Sequence, residues 1–254
     1  METERNKETD AAVAADGAER IIAALDVETQ EKACSLVRVL APPLQYFKVG
    51  FRLFVACGPP VITALQELGA KIFLDLKFHD IPNTVAEASA AATRLGVAMF
   101  NVHLSGGREM IRAAVDAAAA AAEKLGRPRP RVLGVTVLSS FHEAALAETG
   151  VARTIDDQVV ALARLGLDCG LDGVIASPRE AMLLRQNCGG GFLIVTPGVR
   201  PAWAAADDQQ RILTPRQALQ AGASYLVIGR PIIKDPAPRQ AVQKIIAELI
   251  ADAD

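Results

Sequence analysis

Short runs of β-branched and aliphatic residues alternate along this chain with longer stretches whose apolar positions recur at helical spacing, and turn residues separate the two. The first run, Ile21-Ile22-Ala23-Ala24-Leu25, ends in Asp26, and Thr29 stands where a helix to Leu40 needs a cap. Pro42-Pro43 stops that helix. The second run is Tyr46-Phe47-Lys48-Val49 with Gly50 behind it, which places a lysine inside a strand, an unfavourable position for a charge without partners. A helix near Pro60 to Leu68 leads to the third run, Ala70 to Leu74, and another reaches Leu95 after Asn83 and Thr84. Ala98 to His103 is the fourth. The helix from about Gly107 to Leu125 contains the run Ala117 to Ala122, a strong helix former, with Ile111 and Val115 marking its apolar face. Arg131 to Leu138 is the fifth run and ends in Ser139-Ser140; helices follow to Leu165. Gly173 to Ser177 is the sixth, with Pro178 at the first position of a helix. Leu193 to Gly198 is the seventh, Tyr225 to Arg230 the eighth, and a last helix runs from about Pro238 to Ile250.

Eight strands alternating with helices, without a break in composition, predict a single α/β domain, a (β/α)8 TIM barrel over residues 19–254. The open doubly wound sheet is disfavoured, since no G-x-G-x-x-G stands at the first strand-to-helix turn. Residues 1–18, charged and Ala-rich, read as a disordered tail and not as a secretory signal. At 254 residues and 51% hydrophobic content the chain suffices for one large core. A net charge of −2 gives no basic field for nucleic acid, so any phosphate recognition must be local. Cys34, Cys57, Cys169 and Cys188 form no C-x-x-C pair, which fits buried thiols in a reducing cytoplasm. No segment is long and apolar enough to span a bilayer.

In a barrel all strand C-termini open on one mouth, so Asp26, Lys48, Asp75, Lys77, His103, Ser139, Arg200 and Arg230 converge there. Asp75 and Lys77, at i and i+2, emerge on one face; Asp80 follows in the loop. D-x-K alone reads as a surface ion pair. The apolar strand beneath it, and a third charge followed at once by Ile81-Pro82, argue for a site instead. The three histidines, His79, His103 and His142, are not at ligand spacing, and Lys48 and Lys77 occupy the place a carboxylate-bound Mg²⁺ would need, so no metal is expected. Pro197-Gly198-Val199-Arg200 and Ile228-Gly229-Arg230 lie on the loops that usually hold phosphate in this fold: glycine admits the anion to the backbone and arginine grips its oxygens. Ala202 to Asp208, ending at Gln209, has the composition of a lid.

Asp75-Leu76-Lys77-Phe78-His79-Asp80-Ile81-Pro82-Asn83-Thr84, with Leu25-Asp26, Phe47-Lys48-Val49-Gly50, Thr196 to Arg200 and Val227 to Arg230, resembles the bacterial-type orotidine 5′-phosphate decarboxylases from about Ile21 to Ile250. The resemblance implies a homodimer without cofactor that converts orotidine 5′-monophosphate to uridine 5′-monophosphate and CO2. It implies a catalytic set of Lys48, Asp75, Lys77 and Asp80, the last donated across the dimer interface. It further implies that Asp26 and Thr84 hold ribose, Ser139 the pyrimidine, and Arg200, Gln209, Gly229 and Arg230 the phosphate. Ser139 stands where threonine is more usual, and Ala202 to Ala206 is bland for a lid. The 3-keto-L-gulonate 6-phosphate decarboxylases share the Asp-x-Lys-x-x-Asp element but use Mg²⁺ and a glutamate where this chain has Lys48. A catalytically silent nucleotide-binding barrel would be signalled by loss of Asp75 or Lys77, and both are present.

Overall fold

The computed structural model describes residues 17–203 and 213–250. Its strands are β1 (Ile21–Ala24), β2 (Tyr46–Gly50), β3 (Lys71–Phe78), β4 (Met99–His103), β5 (Arg131–Val135), β6 (Gly173–Ile175), β7 (Leu193–Pro197) and β8 (Tyr225–Ile228). All pairings are parallel and in chain order, and β8 returns to β1 to close the barrel. Around it lie α1 (Gln30–Leu40), α2 (Phe51–Cys57), α3 (Pro60–Gln66), α4 (Pro82–Arg94), α5 (Gly107–Lys124), α6 (Glu143–Glu148), α7 (Ile155–Asp168), α8 (Ala181–Cys188), α9 (Pro215–Gln220), α10 (Arg230–Ile233) and α11 (Pro238–Ile250). The predicted (β/α)8 TIM barrel is therefore the observed fold.

The two-residue period of a strand sorts the core into two layers. Ile21 and Ala23 of β1, Phe47 and Val49 of β2, Ile72 and Leu74 of β3 and Phe100 and Val102 of β4 face outward into the helix layer. There they meet Val37 and Leu40 of α1, Ile62 and Leu65 of α3 and Ile111 and Ala114 of α5. Ile22, Ala24, Phe73, Met99, Leu133, Val135, Ile175, Val195 and Val227 fill the barrel interior. Each large side chain so buried is stabilised by about 1.5–3 kcal/mol relative to exposure. The same alternation carries Lys48, Asp75 and Asn101 to the interior at the mouth, one from each of three neighbouring strands.

Local signals act as expected at several element ends. The Thr29 hydroxyl accepts the Lys32 N–H at 3.3 Å and caps α1, and Pro178 opens a single 3₁₀ turn behind the capping box of Ser177 and Glu180. Other boundaries differ from the expectation. Residues 17–19 are helical and Ala18 is buried, so the folded part includes the last two residues assigned to the tail; residues 1–16 lie outside the described ones. Strand β5 ends at Val135, not Leu138, and α2 follows Gly50 directly without a side-chain cap to announce it. The largest difference is in β3, which runs on to Phe78 through an irregular segment where its register against β4 shifts between Leu74 and Phe78.

Candidate active site

Charge gathers just after β1 and on β2 and β3. Lys48 Nζ lies 3.0 Å from Asp26 Oδ1 and 3.3 Å from Asp75 Oδ2, while Lys77 Nζ lies 2.6 Å from Asp75 Oδ1. Asp75 is thus gripped by a lysine on each oxygen. Gly50 makes room for this: a Cβ there would sit 2.8 Å from Lys48 Nζ. Burial is the largest influence on Asp75 and pushes its pKa up, yet Lys48, Lys77 and the hydrogen bonds from Lys77 and Asn101 together outweigh it and hold the carboxyl below its usual range. Burial likewise pushes Lys48 down, and Asp75 with Asp26 more than offsets this, so its pKa is raised. The two groups stabilise each other's charged forms.

The extra residues in β3 explain how Lys77 reaches Asp75. Leu74 pairs with Phe100 and Phe78 with Val102, so four steps along β3 match two along β4. Within this bulge Lys77 takes φ 46°, the left-handed region, the sole non-glycine residue to do so among the described ones. Its backbone N–H, displaced from the ladder, donates to Asn101 Oδ1 at 2.7 Å, and Asn101 Nδ2 donates to Asp75 Oδ1 at 2.7 Å. Asn101 was absent from the sequence candidates. A fully buried amide inside the run Met99-Phe100-Asn101-Val102 was the available signal.

A cavity of about 190 Å³ opens between this charged wall and an opposite wall of Val135, Val137, Ile175, Pro197 and Val227. Lys48, Asp75, Lys77 and Ser139 line it, so Ser139 is brought to the site as expected. Asp26 reaches the site through Lys48 and keeps half of its side chain exposed. Gly229, between β8 and α10, packs beside it: a Cβ there would lie 3.5 Å from Asp26 Oδ2. Arg230 begins α10, and Arg200 follows β7, so both stand at the mouth on neighbouring strands. Arg200 is buried, its backbone N–H bonded to Leu213 O at 3.0 Å and its Nη1 to Val199 O at 3.2 Å. Gln209 lies outside the described residues.

Two candidates stand apart from the charged cluster. Asp80 is exposed, with Oδ1 accepting the Ile81 N–H at 2.6 Å, and among the described residues it forms no ion pair. Thr84 is exposed in the first turn of α4. His103, at the end of β4, stacks on His79 with ring centroids 5.4 Å apart; burial first, then His79 and Lys77, lower its pKa. Among the described residues no three His, Cys, Asp or Glu side chains converge as metal ligands would, and no helix is long and apolar enough to cross a membrane.

Known proteins resemble this chain over most of its length. The chain is 50% identical over 232 residues to the orotidine 5′-phosphate decarboxylase of Geotalea daltonii, covering 91% of this chain and 96% of that protein. It is 51% identical over 233 residues to the enzyme of the same name from Syntrophomonas wolfei, covering 91% and 98%. The crystal structure of orotidine 5′-phosphate decarboxylase from Lactobacillus acidophilus superposes with a TM-score of 0.81 at 38% identity, over 92% of this chain and all of that one. With residues 19–245 also matching the family model, the chain belongs to the orotidine 5′-phosphate decarboxylase / HUMPS family.

Proposed function

We propose that this protein is a cytoplasmic carboxy-lyase of pyrimidine synthesis that converts orotidine 5′-monophosphate to uridine 5′-monophosphate and CO2. The observation that carries the reading is the Asp26–Lys48–Asp75–Lys77 chain of charges facing an apolar-walled cavity at the mouth of a family barrel. Breaking the bond from ring C6 to the carboxylate leaves its electron pair on C6, where no adjacent carbonyl spreads the charge. A fixed ammonium is the remedy. Lys77, held by Asp75, stabilises the developing carbanion and then gives C6 its proton, regaining one from solvent. Preorganisation matters because the charges need no rearrangement as the reaction proceeds. Asp75 faces the departing carboxylate, and the apolar wall accepts CO2.

Asp26 and Thr84 would hold ribose, Ser139 the base, and Arg200, Gln209, Gly229 and Arg230 the phosphate. Binding energy at the phosphate, remote from C6, then supports the transition state. Asp80 completes the site of a second subunit, because on its own chain it is exposed and, among the described residues, makes no ion pair with the charged cluster. A partner would also cover Phe51, Val55 and Ile81, exposed apolar residues following the neighbouring strands β2 and β3. The reaction draws on no cofactor and no metal. The test is the loss of orotidylate absorbance with purified enzyme in EDTA; absence of turnover, or turnover that requires added Mg²⁺, overturns the reading.

A further inference from the structure

A bulge that puts a lysine at positive φ needs something to hold it, since the backbone N–H it frees would otherwise be buried without an acceptor. Asn101 supplies the acceptor and, with the other end of the same amide, grips the carboxylate that Lys77 must meet. Its orientation follows from its partners: only the amide oxygen can accept the Lys77 N–H, and only the amide nitrogen can donate to Asp75. The residue is fully buried, on a strand whose neighbours on either side are aliphatic or aromatic. An apolar residue of similar size would pack there and leave both hydrogen bonds unmade.

We infer that Asn101 is the positioning residue of the proposed decarboxylase site, fixing the distance and angle between the Asp75 carboxylate and the Lys77 ammonium from a strand that itself touches no reacting atom. The inference rests on the function proposed above. Through its oxygen Asn101 sets the backbone from which the Lys77 side chain starts. Through its nitrogen it orients Asp75, with Lys77 on the same carboxylate oxygen and Lys48 on the other. Three donors from three strands therefore define one carboxylate plane, and Asn101 is the uncharged member. It tunes geometry without altering the site's net charge.

The experiment compares wild type, Asn101→Ala and Asn101→Asp on orotidine 5′-monophosphate, with uridine 5′-monophosphate affinity measured in parallel. Asn101→Ala should lower kcat about 100-fold, as a misplaced reacting group does, and leave nucleotide affinity within about threefold. Asn101→Asp keeps the shape but replaces the donor with a second carboxylate beside Asp75. Lys48, Lys77 and His103 also face Asp75, and none of them changes. The like charge favours protonation of the pair, so the acid limb of kcat/KM should move to higher pH by about one unit or more. A merely structural asparagine would lower the fraction of folded enzyme, or nucleotide affinity and kcat alike, without moving that limb; either result overturns the inference. So does Asn101→Ala retaining a third or more of kcat. Should Asn101→Ala fail to fold, the pH profile of Asn101→Asp decides alone. A wild type without turnover sinks the functional reading itself, whereas an active wild type with unimpaired variants sinks only the role of Asn101.

Discussion

The quadrant built by β2, β3 and β4 and the one built by β7 and β8 meet at the same mouth but are made differently. In the first, the functional groups stand on the strands, less than a quarter exposed at Lys48 and Asp75, and each is tied to the next at 2.6–3.3 Å. In the second, the glycines and arginines lie beyond the strand ends, Arg200 on the loop after β7 and Arg230 at the first residue of α10, and 204–212 are not among the described residues. A group that must stabilise charge as it develops gains from being fixed beforehand, and a strand end fixes it. A phosphate that has to enter and leave is better held by loops. The difference teaches that rate should be lost from the first quadrant and affinity from the second.

The largest effect belongs to the charged quadrant. Lys77→Ala removes both the ammonium and the proposed proton source and should lower kcat at least on the order of 10⁴-fold, with nucleotide binding retained. A variant keeping a tenth of the rate rules out the proton-donor role. Asp80→Ala should be similarly impaired, and mixing the two sharpens the point. With Asp80 serving the partner's site, as proposed, a heterodimer of these variants would have one site with both lesions and one with neither, and random exchange should return about a quarter of wild-type activity. Activity that stays at the level of the parents, with heterodimers demonstrated, means that Asp80 serves its own chain.

Next comes the loop quadrant. Arg230→Ala should raise KM for orotidine 5′-monophosphate by about 10- to 100-fold, the 1.5–3 kcal/mol of a hydrogen bond to a charged group, and affect a ligand without phosphate far less. Loss of kcat at unchanged KM would break the contrast between the quadrants. Gly50→Ala is a smaller probe of the first. Its φ of −102° is ordinary for any residue, so the cost is the approach of the new Cβ to Lys48 Nζ, 2.8 Å in the present geometry. Displacing that amine should lower kcat by about tenfold, read directly from steady-state rates, and an unaltered kcat would show that Lys48 has slack.

Much of this molecule was legible in the chain because strands alternate. Ile21-Ile22-Ala23-Ala24 and Tyr46-Phe47-Lys48-Val49 each send one residue in two to the barrel interior, so Lys48 could be placed from its neighbours alone. Asp75 follows the same rule, whereas Lys77, expected beside it at i+2, reaches it through the bulge. What alternation could not show was the bulge, since a shift of register is a relation between two strands and no local residue pattern in β3 states it. The pairing of Asn101 carries no local signal for the same reason: its two partners lie 26 and 24 positions away. The short α2 had no capping side chain and gave no start signal. The pairing of β7 and β8 brings the segments that follow them, with Arg200 and Arg230, to the same end of the barrel, as the topology required.

The smallest effect concerns stability at the edge of the charged quadrant. His103 packs against His79 and near Lys77, and burial and these neighbours hold its pKa below the ordinary 6.5. The unfolded chain therefore takes up that proton first as the pH falls. From about pH 6.5 downward protonation favours unfolding, and stability declines until the native imidazole is also protonated. Asp75 acts in a separate and lower window: its native pKa is depressed, so the stability it contributes is present above its unfolded value near 3.8 and is lost as the pH falls through the native one. Replacing His103 with glutamine keeps a neutral polar group and removes only the first window. Urea midpoints measured from pH 7.5 down to pH 5 should then fall less steeply for His103→Gln than for wild type. Parallel curves would mean that the imidazole is as easily protonated in the native state as in the unfolded one, and that the charged quadrant ends at Lys77.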